Sequence, residues 1–332
     1  MSINPGGPQP GPAPHGEQNM SHLSDTGPAH MGTSEHVQPG APSAINRRNL
    51  LASAGGMAGL MAAFAASAPA VAAAPKRRIV DISMAIENDI PSDPPGLGPK
   101  VVYRGHAEMA PLMAKFFPGL KTEDLPDGEG WAIEEVSLTT HNGTHMDAPY
   151  HYHSTMDGGK RALTIDEVPL DWSHRALAVK LDFRHLPDGH VVTAAEVEAE
   201  LKRIGHTLSP LDIVLVNTSA AARYGSMAYL NAGCGMGREA TLYLLARGVR
   251  VTGTDAWSWD VPFSFTAKRY AETHDKSLIW EGHFAGIQIG YCHMEKLQYL
   301  DTLPATGFEV ICMPVKVRGA SAGWTRAVAL LN

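Results

Sequence analysis

Thr140-His141-Asn142-Gly143-Thr144-His145-Met146-Asp147-Ala148-Pro149-Tyr150-His151 is the stretch on which the fold and the chemistry both turn. Three imidazoles and one carboxylate fall within eleven residues, interleaved with a glycine and a proline that bend the backbone about one point. A nitrogen- and oxygen-rich set without thiolate suits Zn²⁺, Mn²⁺ or Fe²⁺ rather than a structural Cys₄ site. His141 and His145 are four apart, which on a helix would place both on one face. Asn142-Gly143 and Pro149 argue against a helix, so the stretch reads as a tight loop leaving a strand. His141, His145 and Asp147 would leave coordination positions open, as a catalytic metal requires. The bland alternative, three surface histidines and a turn-forming aspartate, fits this spacing poorly.

Working outward, β-branched runs alternate with helical segments from Ile79 onward. Strands are expected at residues 79–83, 133–140 (leading directly into the histidine motif), 176–182, 212–217, 249–254, 309–317 and 327–331. Thr193-Ala194-Ala195-Glu196 is a capping box that opens a helix to Ile204, with Gly205 just past its end. A second helix is expected over 238–247, stopped by Gly248. Residues 88–130 are punctuated by prolines and glycines and read as long loops around one short helix at 109–117; loops of that length usually form lids or binding walls. The pattern is α/β with one dominant sheet. The glycine cluster Gly233–Gly237 lacks the strand before it and the spaced acidic residue of a nucleotide site, so it reads as a loop.

The chain has 332 residues, but its first 75 or so do not read as a folded domain. Residues 1–45 are rich in Pro, Gly, Ser and His and bury too little apolar surface to offset their ordering entropy, so disorder is expected. Residues 46–74 combine Arg47-Arg48, an uncharged Ala/Gly-rich run and small-x-small sites such as Ala70-Val71-Ala72. Together these look like a bacterial Tat signal, implying export to the periplasm; a membrane anchor is the alternative, disfavoured by the weakly apolar run and Pro69. The remaining region, 76–332, is long enough for one large domain. A net charge of −7 without a basic stripe argues against nucleic acid and anionic membrane surfaces as partners. Cys234, Cys292 and Cys312 are too few and too scattered to imply a disulfide framework.

The pattern His-x-Gly-Thr-His-x-Asp-x-Pro-x-His at 141–151 resembles the signature of the bacterial cyclase family, which includes kynurenine formamidase, isatin hydrolase and a dienelactone hydrolase. Gly253–Asp260, Leu297–Pro304, Met313–Val317 and Arg326–Val328 are similar to further blocks of that family, so the resemblance runs from Ile79 to Asn332. It implies a swivelling β/β/α-type fold, a homodimer or homotetramer, and one or two divalent ions, Zn²⁺ or Mn²⁺. By resemblance, His141, His145 and Asp147 hold a metal, and Asp147 with His283 and Glu295 holds a second. His274 and His293 compete with His283 for that place. His151 is by resemblance the general acid–base residue, with a third-ligand or orienting role as the alternative. Trp131 and Trp257 flank the segments that should form the pocket and are candidate contacts to a small-molecule substrate. The implied activity is hydrolysis of an amide, formamide, lactam or lactone by metal-activated water, arylformamidase-like chemistry being the nearest. A lactonase or isatin-type hydrolase is the alternative within the family, and a periplasmic carboxylate-binding protein the alternative outside it.

Overall fold

The computed structural model describes residues 77–174 and 176–331; the expected N-terminal extension (1–45) and signal (46–74) lie outside them. Nine strands form one mixed sheet: β1 (Arg78–Asp81), β2 (His145–Asp147), β3 (Ala176–Asp182), β4 (Ile213–Asn217), β5 (Val251–Thr254), β6 (Cys292–Glu295), β7 (Phe308–Ile311), β8 (Ala322–Trp324) and β9 (Val328–Leu331). Their spatial order is β1-β9-β7-β3-β4-β5-β6-β2-β8. The four central strands, β3 to β6, run parallel, and every pairing on either side of them is antiparallel.

Two short helices, α1 (His106–Ala114) and α2 (Pro149–Tyr152), precede those that cross between the parallel strands: α3 (Ala194–Arg203) joins β3 to β4, α4 (Arg238–Leu245) joins β4 to β5, and α5 (Phe263–Thr273) and α6 (Glu281–Gln288) join β5 to β6. Covered on both faces, β4 reads Ile-Val-Leu-Val-Asn with every residue buried, the composition expected of a central parallel strand. The two-residue period sorts it: Ile213 and Leu215 face one core cluster, while Val214 and Val216 face another built with Val197 and Leu201 of α3 and Ala240 and Leu244 of α4. The Thr193–Glu196 capping box is present at the start of α3, and Gly205 takes a left-handed φ just past its end.

Three expectations need correction. The strand predicted at 133–140 is shorter (Ile133–Ser137), wholly exposed, and pairs with Lys100–Arg104 in a separate two-stranded sheet. The 88–130 segment therefore contains a strand that its sequence did not signal, because Lys100–Arg104 buries only Val101 and shows no inward-outward alternation. The run expected to continue from 309 to 317 ends at Ile311, three residues before Pro314. Finally, the histidine motif is not a loop throughout. His145–Asp147 is strand β2, and His151 lies on a one-turn helix, α2 (Pro149–Tyr152), with Pro149 at its first position.

That last difference matters most. On a strand, residues two apart share a face, so His145 and Asp147 point the same way while Met146 turns into the core opposite. β6 repeats the arrangement: His293 and Glu295 point with them, and Met294 packs beside Met146 in the same cluster. Each buried methionine contributes roughly 1.5–3 kcal/mol, which anchors the polar face that its neighbours present.

Candidate metal centre

A turn delivers His141 to the edge of β2. Thr139 N donates to Asn142 Oδ1 (2.7 Å), and Gly143 turns the chain at φ +61°. A Cβ at Gly143 would also stand 2.8 Å from Ile86 Cγ1, so both the conformation and the space select glycine. Thr144 ties the turn to two other segments: its Oγ1 accepts from Met84 N (2.7 Å) and donates to Lys296 O (2.5 Å).

Antiparallel register sets His293 opposite Asp147 and Glu295 opposite His145. His293 Nε2 stands 3.1 Å from Asp147 Oδ2 and 3.1 Å from Glu295 Oε1. His145 Nε2 is 3.3 Å from Asp147 Oδ1 and 3.6 Å from Glu295 Oε2. His141 Nδ1 approaches Asp147 Oδ1 to 2.9 Å. His283 arrives from α6, its Nε2 3.7 Å from Glu295 Oε1 and 4.0 Å from Asp147 Oδ2. The helix can come this close because Gly282 has no Cβ, which would meet Met236 O at 2.6 Å. Two overlapping ligand sets result, His141/His145/Asp147 and Asp147/His283/His293/Glu295, with Asp147 common to both.

The surrounding contacts turn ligand lone pairs inward. His145 Nδ1 lies 2.9 Å from Gly143 O, and a carbonyl can only accept, so the proton sits on Nδ1 and Nε2 is free to bind a cation. The Tyr291 hydroxyl donates to Gly282 O (3.0 Å) and lies 3.3 Å from His293 Nδ1, the side of that ring turned away from the carboxylates. Asp260 pairs with His283 Nδ1 and accepts from the backbone N–H groups of Gly282 (2.7 Å) and His283 (3.0 Å). That carboxylate–histidine pairing is a usual support for a metal-binding imidazole. Asp260 was legible only as part of the Gly253–Asp260 block, since nothing in its local sequence signals a partner 23 residues away.

His145 Nε2 and both Asp147 carboxylate oxygens are buried without a hydrogen-bond partner, although imidazoles crowd around them. Orphaned buried acceptors that converge on one point fit a cation, because burying them unpaired is costly. The nitrogen and oxygen donors suit a divalent ion of the Zn²⁺ or Mn²⁺ type. Electrostatics agree. Burial opposes ionisation of Asp147, but His151, His145 and His141 outweigh it and hold its pKa well below the usual carboxylate range. Glu295, buried as deeply, is brought down to about 2 chiefly by its hydrogen bond with His293. His293 responds in kind: burial disfavours its charge, yet Asp147 and Glu295 raise it to about 9.

His151 stands at the rim, Nε2 3.6 Å from Asp147 Oδ2 and its ring 4.1 Å from that of His141. Burial lowers its pKa to about 4, against the pull of Asp147, so near pH 7 it is neutral. It borders a cavity of about 220 Å³ walled also by Pro94, Leu97, Trp257, Phe263 and Trp280. Trp257 lines this cavity. Trp131 does not: it lies 37% exposed against Phe116, with ring centroids 5.7 Å apart. His274 ends α5, exposed and beside Tyr270, whereas His293 belongs to the cluster together with His283 rather than in its place. The missed sign was spacing: His293 and Glu295 are two apart, the interval that shares a strand face.

A mixed α/β protein with a buried His/Asp/Glu metal centre on its sheet is the class that fold and site define. The chain belongs to the Cyclase family, whose pattern matches residues 80–261, more than half its length. Solved structures share the fold. An isatin hydrolase bound to the product analogue thioisatinate is 22% identical with a TM-score of 0.59, covering 77% of this chain and 92% of that one. Isatin hydrolase A from Ralstonia solanacearum is 23% identical with a TM-score of 0.60 over 77% and 92%. Isatin hydrolase A from Labrenzia aggregata, bound to benzyl benzoate, is 23% identical with a TM-score of 0.59 over 77% and 94%.

Proposed function

We propose that this protein is a metal-dependent hydrolase that opens an amide, formamide, lactam or lactone bond in a small aryl or cyclic carbonyl compound. The observation that carries the reading is the placement of His151, 3.6 Å from the shared Asp147, at the mouth of an aromatic cavity. A carboxylate-binding protein has no use for such a group. His141, His145 and Asp147 would hold one divalent ion, and Asp147, His283, His293 and Glu295 would hold a second. When bound, such an ion supplies Lewis acidity, bringing a water's pKa from 15.7 to about 7 and polarising a carbonyl.

The chain's own groups supply the rest. His151 takes the proton of the attacking water at Nε2 and returns it to the leaving nitrogen or oxygen. Asp260 keeps His283 in one orientation, and Tyr152 and Tyr291 do the same for His293. Trp257, Phe263 and Trp280 present apolar faces sized for a single ring system and keep bulk water from the reacting carbonyl. Arylformamides and isatin-type lactams both meet these demands, and the shared fold of the isatin hydrolases favours testing the lactams first. The test is metal analysis of the purified mature protein followed by assay on N-formylarylamines, isatins and lactones. Turnover that disappears with chelation and returns with Mn²⁺ or Zn²⁺ is expected. A metal-loaded protein inert toward all three classes would overturn the reading.

A further inference from the structure

Asp93 lies in the proline- and glycine-rich segment between Asn88 and Lys100, far in sequence from the metal-site strands, yet its side chain is 6% exposed. Three separate segments converge on its carboxylate. Lys296 Nζ forms an ion pair with Oδ1, Trp257 Nε1 donates to Oδ1 at 3.3 Å, and Asn142 Nδ2 donates to Oδ2 at 3.0 Å. Asn142 Nδ2 also donates to Leu97 O at 2.8 Å. Among the described residues, every hydrogen bond from 90–98 to another part of the chain ends on Asp93 or Leu97. Asp93, Pro94 and Leu97 all wall the cavity.

Lys296 is as unusual as its partner. It follows Glu295 directly and is 1% exposed, and its φ of +59° turns the chain out of β6. Besides Asp93, its ammonium donates to His141 O at 2.9 Å. A buried ammonium needs a counter-charge, and Asp93 is the carboxylate it pairs with. The same ammonium thus touches the backbone of a proposed metal ligand and the segment that walls the cavity.

We propose that Asp93 and Lys296 form a clamp that seats residues 90–97 as a wall of the substrate cavity. Asp93 and Lys296 themselves border the cavity; as positioning residues, Asp93 seats Pro94 and Leu97, and Lys296 acts through Asp93 and the His141 carbonyl. The link to substrate rests on the hydrolase reading; the clamp itself does not. Removing one partner leaves a buried charge unpaired, whereas removing both leaves none, so the double variant guards against simple misfolding.

The experiment compares metal-loaded wild type, Asp93→Asn, Lys296→Met, the double variant and Lys296→Arg, by hydrogen exchange of the 90–97 amides and by steady-state kinetics on the best panel substrate. Exchange should speed by about tenfold or more in each single variant, and KM should rise about tenfold with kcat within a few-fold and metal content unchanged. The double variant should be no worse than the worse single, and Lys296→Arg should retain most of the protection. Wild-type exchange rates in both single variants would overturn the clamp, as would additive effects in the double. Faster exchange with unchanged KM would overturn its role in substrate binding. If the wild type hydrolyses no substrate at all, the functional reading fails while exchange alone still decides the clamp.

Discussion

Asp147 Oδ2 and His293 Nε2 stand 3.1 Å apart because their residues face each other directly across the antiparallel pair β2–β6. Asp147 thereby serves two ligand sets at once, one local in sequence and one gathered from residues 283–295.

Loss of the support behind His283 should be felt in metal binding before it is felt in folding. Asp260→Asn removes the charge that orients that imidazole and should weaken metal affinity about 10- to 100-fold, with a small change in Tm of the metal-free protein. Titration with a chromophoric chelator measures it. Equal affinity in variant and wild type would remove Asp260 from the centre.

His151→Ala should lower kcat by roughly 10²- to 10⁴-fold with the metal-to-protein ratio intact. Metal analysis alongside kinetics separates a proton carrier from a ligand. A variant that loses its metal would reassign His151 to coordination.

Protons and metal compete for His293. Its pKa is raised to about 9 by Asp147 and Glu295, against its burial, so the metal-free centre holds a proton there through neutral pH. A cation must displace it, and apparent affinity should rise as pH climbs from about 6 towards 9. Calorimetry in buffers of different ionisation enthalpy counts the protons released. Binding with no proton release would contradict the assignment of His293 as a ligand.

Away from the metal, Asp255 imposes a pH dependence of its own. Burial raises its pKa to about 7, despite hydrogen bonds from Thr218 and Asn217. The folded state therefore binds the proton more tightly than the unfolded one, so this group's contribution is complete below pH 3.8 and is lost as pH rises through 7. The shift corresponds to a loss on the order of 4 kcal/mol between those limits. Denaturant titrations of wild type and Asp255→Asn from pH 4 to 8 should show the variant gaining stability relative to the wild type as pH rises. A pH-independent difference would place the Asp255 pKa near its ordinary value.

How much of this was legible in the sequence varied with distance along the chain. His141, His145, Asp147 and His151 stand out because eleven consecutive residues carry them, and the capping box of α3 is equally local. His283 and Glu295 were reachable only through resemblance to known blocks, since an isolated His or Glu carries no local sign of a ligand. In the sequence His274 and His293 both compete with His283, and only the strand assignment puts His293 in the cluster beside it. Trp131 borders the 88–130 segment that the sequence offers as a pocket wall, but the next strand, 133–137, pairs with 100–104 in a separate sheet and Trp131 does not line the cavity.

Local chemistry, then, is what the sequence by itself determined: the donor types gathered in eleven residues and the glycine that permits the turn at 143. The tertiary structure decided which distant residues complete the centre. A strand shifted by one residue presents its other face, so the β2–β6 register alone puts His293 and Glu295, rather than Cys292 and Met294, beside Asp147. The closeness of α6, permitted by Gly282, adds His283, and the buried pairing of Asp93 with Lys296 adds the cavity wall. These are contacts between segments more than a hundred residues apart, set by packing and pairing that no short stretch of sequence encodes.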